Sequence, residues 1–173
     1  MINNMYSSTY EVTPLTMAIV AAPENHTKPS AMVLEEEGTW IVENTPSKIM
    51  ENACKFFGSS LKGRQEGTRS ICGITHKAPI SIAPSCGMYF FPTASPSSHK
   101  CSWIAHSHIE QVNRGPYRQT EIIFKNGKTI LLDVSFGSIL NQVQRTAQYR
   151  YMLDNRIKYA QRDHVDVVAE PYP

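Results

Sequence analysis

Short runs of apolar and β-branched residues, broken by Pro, Gly, Asn and Ser, dominate the first two thirds of the chain. Runs of this length and composition are typical of β-strands, and the residues that break them are typical of turns. We predict loops at 23–30 and 93–100. The predicted strands are 10–22, 31–36, 39–43, 80–83, 88–91 and 103–109.

Two of these segments carry polar residues that bear on function. The strands 31–36 and 39–43 predict a hairpin around Glu37-Gly38, and the three consecutive glutamates before Gly38 are interpreted as a solvated turn. In 103–109 the residues alternate, so that His106 and His108 share one face of the predicted strand.

A helix is predicted from Pro46 to about residue 57. Thr45 is a good N-cap, proline is tolerated at the first helical position, and Gly58 supplies a left-handed stop. Apolar residues recur at helical spacing and predict the buried face, which would end with Phe56 and Phe57. Residues 59–68 follow as a short helix or an ordered loop, because two glycines there disfavour a helix.

The last third of the chain predicts a hairpin and then a long helix. Two strands within 120–134 flank Asn126-Gly127, the preferred pair for a type I′ turn. Ser135 or Ser138 would cap a helix that runs to about Gln161. Its predicted buried stripe is Ile139, Val143, Ala147, Leu153 and Ile157.

These elements predict one α+β domain with central antiparallel β-strands, a short helix near 46–57 and a long C-terminal helix. The length of 173 residues and the 41% of hydrophobic residues are typical of a single globular domain. No apolar run is long enough to span a membrane, and the N-terminus lacks the pattern of a secretory signal, so a cytoplasmic protein with four reduced cysteines is expected.

Charge is distributed unevenly along the chain. Residues 1–51 carry a net charge of −5, residues 52–162 carry +10, and residues 163–173 carry −3. A basic middle indicates a polyanionic partner, although an ordinary soluble surface explains the charge equally well. Cations cluster between residues 55 and 77, and two nearby glycines would allow close approach to a duplex. The candidate DNA-binding residues are Lys62, Arg64, Arg69 and Lys77, with Lys55, Lys100, Arg114 and Arg118 as second choices.

Other chemistries have weaker support in the sequence. Cys101, His106 and His108 lie close together, but the chain lacks a C-x-x-C pair, and a hydrogen-bonded histidine explains them as well as zinc does. Cys54 with His76 or His106 could form a nucleophilic pair, yet Cys54 falls inside a helix, where cysteine is usually a small hydrophobe. The sequence carries no common catalytic motif, so we expect neither an enzyme nor a bound cofactor or metal.

Four blocks of sequence resemble the ComK family, the competence transcription factors of Firmicute bacteria. The resemblance covers most of residues 10 to 160. Its blocks are FFGSS-x-x-GR-x-x-GT (56–68), HKAPI (76–80), FFPT with WIAHSHI (90–109), and F-x-NGKT with NQVQRTA (124–147). The resemblance implies a ComK-like DNA-binding domain over 1–162. The acidic residues of 163–173 are expected to form a frayed tail.

The resemblance also implies a function and a set of partners. It predicts a sequence-specific activator of DNA-uptake genes that binds A-run and T-run boxes through the minor groove, as dimers that join in tetramers, bends the DNA and assists RNA polymerase. Members from Bacillus are delivered by the adaptor MecA to the ClpC–ClpP protease. This chain ends in DVVAEPYP rather than in an apolar FMLYP-like tag, so control by MecA stays open. A protein-interaction module or a zinc-binding module without direct DNA binding are the alternatives.

Overall fold

The computed structural model describes residues 3–7, 9–23 and 28–168, with side chains described within 9–23 and 28–162. The helices in this part of the chain are α1 (Pro46–Phe56), α2 (Leu61–Cys72) and α3 (Phe136–Val168). The strands are β1 (Asn3–Ser7), β2 (Thr16–Ala21), β3 (Ala31–Glu35), β4 (Thr39–Val42), β5 (Ile80–Ala83), β6 (Met88–Pro92), β7 (Trp103–Ala105), β8 (Ile109–Arg114), β9 (Thr120–Phe124) and β10 (Thr129–Leu132).

Seven of the strands form the larger sheet, in the order β1-β4-β3-β2-β7-β6-β5. Adjacent strands run antiparallel, except that β1 pairs in parallel with β4. The predicted hairpin is confirmed as β3 and β4, with Met32 opposite Ile41. The predicted α+β class, with antiparallel strands and a long C-terminal helix, is also confirmed.

Both faces of the larger sheet are buried. Phe90 and Trp103 pack into one hydrophobic core together with α1, whereas their chain neighbours Phe91 and Ile104 pack into a second core. This second core also contains Phe124 of the smaller sheet and Ile139 of α3, so the larger sheet is the middle layer. Strands that are buried on both faces read as continuous apolar runs, which explains the uninterrupted burial of β5, β6 and β7.

The smaller sheet has the order β10-β9-β8, and its β9–β10 hairpin is confirmed. The predicted type I′ turn is wrong, because it requires positive φ at both central residues and only Gly127, at φ +83°, has it. Gly127 instead donates its N–H to the Phe124 carbonyl, and Phe124 donates to the Lys128 carbonyl. This pattern is a type I turn followed by a glycine bulge.

Both ends of α2 are capped. The Ser60 hydroxyl accepts the Gly63 N–H at 3.0 Å, and Gly73, in the left-handed conformation, donates its N–H to the Arg69 carbonyl. The helix continues through both glycines because these caps satisfy its terminal groups and Thr68 anchors its centre to the Pro79 carbonyl. The segment 59–68 is therefore mainly helix, and it extends to Cys72.

The long helix α3 begins after Ser135, whose hydroxyl accepts the Ser138 N–H, and it ends at Val168. It therefore runs seven residues beyond Gln161, past the boundary predicted at residue 163; residues 169–173 lie outside the described part. The predicted stripe is only partly correct, because Ala147 is exposed. The fully buried positions are Ile139, Gln142, Thr146 and Tyr149. No helix among the described residues is long and apolar enough to cross a membrane.

Three local predictions are wrong. Phe56 and Phe57 do not close the buried face of α1, because their side chains are 69% and 38% exposed and contact each other edge to face. The segment 103–109 is not one strand, since a 3₁₀ turn at His106–His108 separates β7 from β8 as the chain changes sheets. The first predicted strand starts at Thr16 instead of residue 10.

Candidate nucleic-acid interface

Helix α2 presents two of the predicted cations on one exposed face. Lys62 and Arg69 are seven residues apart, which is nearly two helical turns, so they point in almost the same direction. Both side chains are exposed, and Lys62 lies 3.9 Å from Glu66 one turn further along. This single pair at the surface leaves the face with a net positive charge.

A third predicted cation, Lys77, lies on the loop that follows α2. Its backbone is left-handed, with φ at +48°, a conformation that is uncommon for a residue with a side chain. Two side chains of helix α3 donate hydrogen bonds to main-chain carbonyls of this loop. The Gln142 side-chain amide donates to the Lys77 carbonyl at 2.9 Å, and the Arg145 guanidinium donates to the His76 carbonyl at 2.6 Å. These bonds fix the direction in which the exposed Lys77 side chain leaves the surface.

Lys62, Arg69 and Lys77 together line one shallow cavity of about 300 Å³, which we call the cationic groove. Its remaining wall comes from α2, from the loop before β5 and from the loop that contains Ser95 and Pro96. Polar donors and a single acid, Glu66, complete the lining. The residues of the groove are Lys62, Gln65, Glu66, Arg69, Ile74, Thr75, His76, Lys77, Ala78, Ser95 and Pro96.

Arg64, the fourth first-choice residue, does not join this groove. It lies two positions after Lys62, so the helix turns it to the opposite side. Its guanidinium is half-buried and donates from Nη2 to the Ile82 carbonyl at 3.2 Å. Its Nε is buried and has no hydrogen-bond partner among the described residues. Arg64 therefore joins α2 to β5 and is not available to a ligand in the groove.

The second-choice cations lie at three other places. Lys55 lies in the last turn of α1 and contacts Glu51 at 3.7 Å, and Lys100 lines a separate depression with Asp133. Arg114 and Arg118 are at the β8–β9 hairpin, where the Arg114 guanidinium lies 4.6 Å above the Phe136 ring. The structure does not bring these four residues into the cationic groove.

In the glutamate cluster at the β3–β4 turn, Glu36 and Glu37 are exposed, as predicted for a solvated turn, whereas Glu35 is half-buried. The Glu35 carboxylate accepts hydrogen bonds from Tyr10 and from the Trp40 indole. Burial, together with this carboxylate, raises the pKa of the Tyr10 hydroxyl far above its usual value. The Lys128 ammonium also donates to the Glu35 carbonyl, so this turn is attached to the smaller sheet.

The residues proposed for zinc are dispersed. Cys101 lies in the hydrophobic core, His106 is half-buried beside Arg150, and His108 contacts the Pro14 carbonyl at 2.7 Å. Within the part of the chain that the structure describes, no group of three or more His, Cys, Asp or Glu side chains could hold a metal.

The nucleophile hypothesis is also disfavoured. Cys54 is fully buried on α1, as predicted for a small hydrophobe. Burial is the main cause that raises the pKa of its thiol to about 11, so the thiol stays protonated at neutral pH and lacks the thiolate that attack requires.

Sequence reasoning did not name Lys48, and it interpreted Gln142 and Arg145 as part of a solvated face of the long helix. Lys48 lines a second depression that shares Lys62, Gln65 and Pro96 with the cationic groove and that also contains Glu51. The buried Gln142 and the half-buried Arg145 position the Lys77 loop. Gln142 lies three positions after the buried Ile139, and this helical spacing was the available signal that Gln142 is buried. Polar residues, however, are usually expected on the solvent face of a helix.

Two comparisons with known proteins gave matches. The family model described as ComK protein matches residues 7–158. A curated relative, the competence transcription factor of Bacillus subtilis (strain 168), is 37% identical over 150 residues, which cover 87% of this chain and 78% of that protein. No solved structure matches the chain.

Proposed function

Because the chain belongs to the ComK family, we propose that it is a transcription activator of competence genes that binds DNA through the cationic groove. The carrying observation is that Lys62, Arg69 and Lys77 converge on one concave surface although they come from two different elements. Three cations around one depression match the phosphates that flank a DNA groove.

The groove is suited to phosphate positioning because its backbone is fixed. Capping at Ser60 and Gly73 holds α2, and α3 holds the carbonyls of His76 and Lys77. Contacts from such side chains set the register on the duplex without reading base edges. Selectivity for A-run and T-run boxes then comes from the narrow minor groove, whose negative potential attracts arginine, here Arg69.

The proposal includes the assembly expected from the family. One cationic groove covers few base pairs, so paired A-run and T-run boxes call for a dimer, and two such dimers form the tetramer on a promoter. The bound oligomer would bend the DNA and contact RNA polymerase. Control by MecA and ClpC–ClpP stays open.

A mobility-shift titration on an A-run/T-run duplex at several salt concentrations tests the proposal. The combined variant Lys62→Ala, Arg69→Ala, Lys77→Ala should bind more weakly and flatten the slope of log K against log salt. The loss is about 0.9 for each phosphate contact removed, or up to about 2.7 for all three. Lys28→Ala is the control, because it also removes one positive charge per substituted residue. Lys28 pairs with Glu43 on the acidic part of the chain.

One observation favours a second function. Phe56 and Phe57 form an exposed aromatic pair at the end of α1, and such pairs are common at protein interfaces. A protein-interaction module would bind its partner independently of salt and would not bind the duplex. If the wild-type protein gives no shift at low salt, this second function replaces the first; an unchanged salt slope in the triple variant would remove the groove from the proposal.

A further inference from the structure

The loop that joins β8 to β9, residues 115–119, carries an unusual aromatic residue. We call this loop the hairpin tip. Tyr117 is 94% exposed, which is more than any other large hydrophobic side chain among the described residues. An aromatic ring in that position adds nothing to either hydrophobic core, so the fold gives no reason for it.

The backbone of the hairpin tip is held in a disfavoured conformation. Tyr117 has φ +50° and ψ +39°, and Arg118 has φ +63°, so two consecutive residues with side chains are left-handed. The loop is closed by hydrogen bonds from Gly115 to Gln119 and from Gln119 to Pro116. A Cβ on Gly115 would lie 2.8 Å from Leu131 and 3.2 Å from the Gln119 carbonyl, so the loop packs tightly at its base. Strain of this kind clusters at functional sites.

The charge around the ring identifies the class of partner. Arg114 and Arg118 flank Tyr117, and no acidic residue occurs from Gln111 to Thr120. A positive loop with a protruding aromatic ring fits a polyanion that offers flat surfaces for stacking, which is the description of a nucleic acid.

Helix α3 connects the hairpin tip to the cationic groove. Phe136 at its start packs under Arg114, and Arg145 holds the His76 carbonyl at the groove. These two residues are nine positions apart, which corresponds to about 14 Å along the helix axis. A duplex rises about 3.4 Å for each base pair, so this axial separation equals the rise of about four base pairs, while nine positions are two and a half turns and turn the two side chains to opposite sides of α3.

We propose that the hairpin tip is a second DNA contact, at which Tyr117 places its ring against or between base pairs and Arg118 pairs with the adjacent phosphate. This inference rests on the proposed DNA-binding function. Side chains that enter a minor groove as wedges partly unstack a base step and kink the duplex. Where a T-run precedes an A-run on one strand, the border is a TpA step, a flexible pyrimidine–purine step, and this step is the expected site of insertion.

The test uses the full chain and an A-run/T-run duplex that carries 2-aminopurine at the border step. Insertion of the ring should unstack the probe and raise its fluorescence. Tyr117→Ala should lose the fluorescence change and weaken binding about tenfold, the size expected for one stacked base. Its salt slope should stay unchanged because no charge is removed, whereas Arg118→Ala should flatten the slope by about 0.9.

Two further variants complete the design. Tyr117→Phe keeps the ring and should behave like the wild type, and Tyr151→Ala removes an aromatic residue that is 69% exposed on α3 and should have no effect. Equal thermal stability of Tyr117→Ala and wild type would exclude a folding defect.

The outcomes separate this inference from the proposed function. If Tyr117→Ala binds as tightly as wild type while the triple groove variant does not, the hairpin tip is not a DNA contact and the groove proposal stands. If Tyr117→Ala binds normally but fails to activate transcription from a target promoter, the tip contacts a protein and the inference is overturned. If the wild type does not bind the duplex, both proposals fail together.

Discussion

The side-chain amide of Gln142 donates a hydrogen bond to the main-chain carbonyl of Lys77 at 2.9 Å. The same amide reaches the Pro92 carbonyl at 2.7 Å, and the Gln142 side chain is almost fully buried. One residue of α3 therefore joins the end of β6 to the loop that presents a lysine of the cationic groove. A buried donor in this position sets the geometry of the site without touching a ligand.

Replacing Gln142 should weaken DNA binding from a distance. Gln142→Ala leaves two carbonyls without their donor, which costs about 1–3 kcal/mol of unfolding free energy for each group left buried and unpaired. The Lys77 loop would also lose one of its two bonds to α3, while the bond from Arg145 to the His76 carbonyl remains, so affinity should fall while the salt slope changes little. Urea unfolding and the mobility shift measure the two effects. Gln148→Ala, at an exposed position of the same helix, is the control, and equal behaviour of the two variants would contradict the positioning role.

Substitutions of Arg64 and Arg69 should have different effects: the first should lower stability, and the second should weaken DNA binding. Arg64→Ala removes the half-buried bond to Ile82 and should lower the free energy of unfolding by about 1–3 kcal/mol, with no change in salt slope for the folded protein. Arg69→Ala should leave stability within about 0.5 kcal/mol and flatten the slope. Denaturant titrations beside salt titrations check both, and a flattened slope for Arg64→Ala would return that residue to the interface.

The fold was predicted from the sequence where the local pattern decides the structure. Thr45-Pro46 is the start of α1, and the strands on either side of Gly127 form the predicted hairpin, because caps and turns depend on a few neighbouring residues. Cys54 was placed correctly in a buried face for the same reason.

The predictions that were wrong concern features that depend on distant parts of the chain. Helical spacing puts Phe56 on the same face as Ile49, but it does not tell whether the layer beneath extends that far, and Phe56 is exposed. Gln142 is buried because carbonyls from two remote segments need its amide, which no local pattern reveals. The charge pattern of the sequence places the candidate cations in one region of the chain, but it does not separate them. Only the helical direction of each residue separates Arg64 from Lys62 and Arg69.

Gly67 offers a test of the expectation that glycine in α2 allows close approach to a duplex. It lies five positions from Lys62, about 140° around the helix, and a Cβ there would meet nothing within 4 Å. Gly67→Ala should therefore raise the unfolding free energy by about 0.5–1 kcal/mol through helix propensity and leave DNA affinity unchanged. Thermal unfolding and the mobility shift check this. A clear loss of affinity would show that the duplex contacts this side of α2.

His106 should make stability depend on pH below neutrality. Burial, and next the positive charge of Arg150, lower the pKa of this histidine from its ordinary 6.5. Below pH 6.5 the unfolded chain binds a proton that the native site resists, so the unfolded state holds more protons and stability rises with pH. The contribution is intact above 6.5 and is lost as the pH falls toward the lowered folded value.

Denaturant unfolding between pH 7 and 5 measures this effect as a difference between variants. His106→Gln cannot take up the proton in either state, so its stability should decline less steeply than that of the wild type. Parallel curves for wild type and His106→Gln would show that the buried imidazole does not contribute.

Tyr117→Gly should show that the conformation of the hairpin tip lowers the stability of the fold and supports DNA binding. Tyr117→Gly removes a side chain from a left-handed residue, which relieves about 1–2 kcal/mol of steric cost in the folded state. Part of this gain in stability is lost, because glycine also increases the conformational entropy of the unfolded chain. We expect a net gain of about 0.5–1 kcal/mol in thermal or urea unfolding. Affinity for the A-run/T-run duplex should fall as it does for Tyr117→Ala, which keeps the strained backbone and should show no gain in stability. If glycine raises stability and leaves binding intact, then the conformation of this loop has no role in contacting DNA. A gain in stability together with weaker binding is the pattern expected of a residue whose conformation is maintained for a ligand.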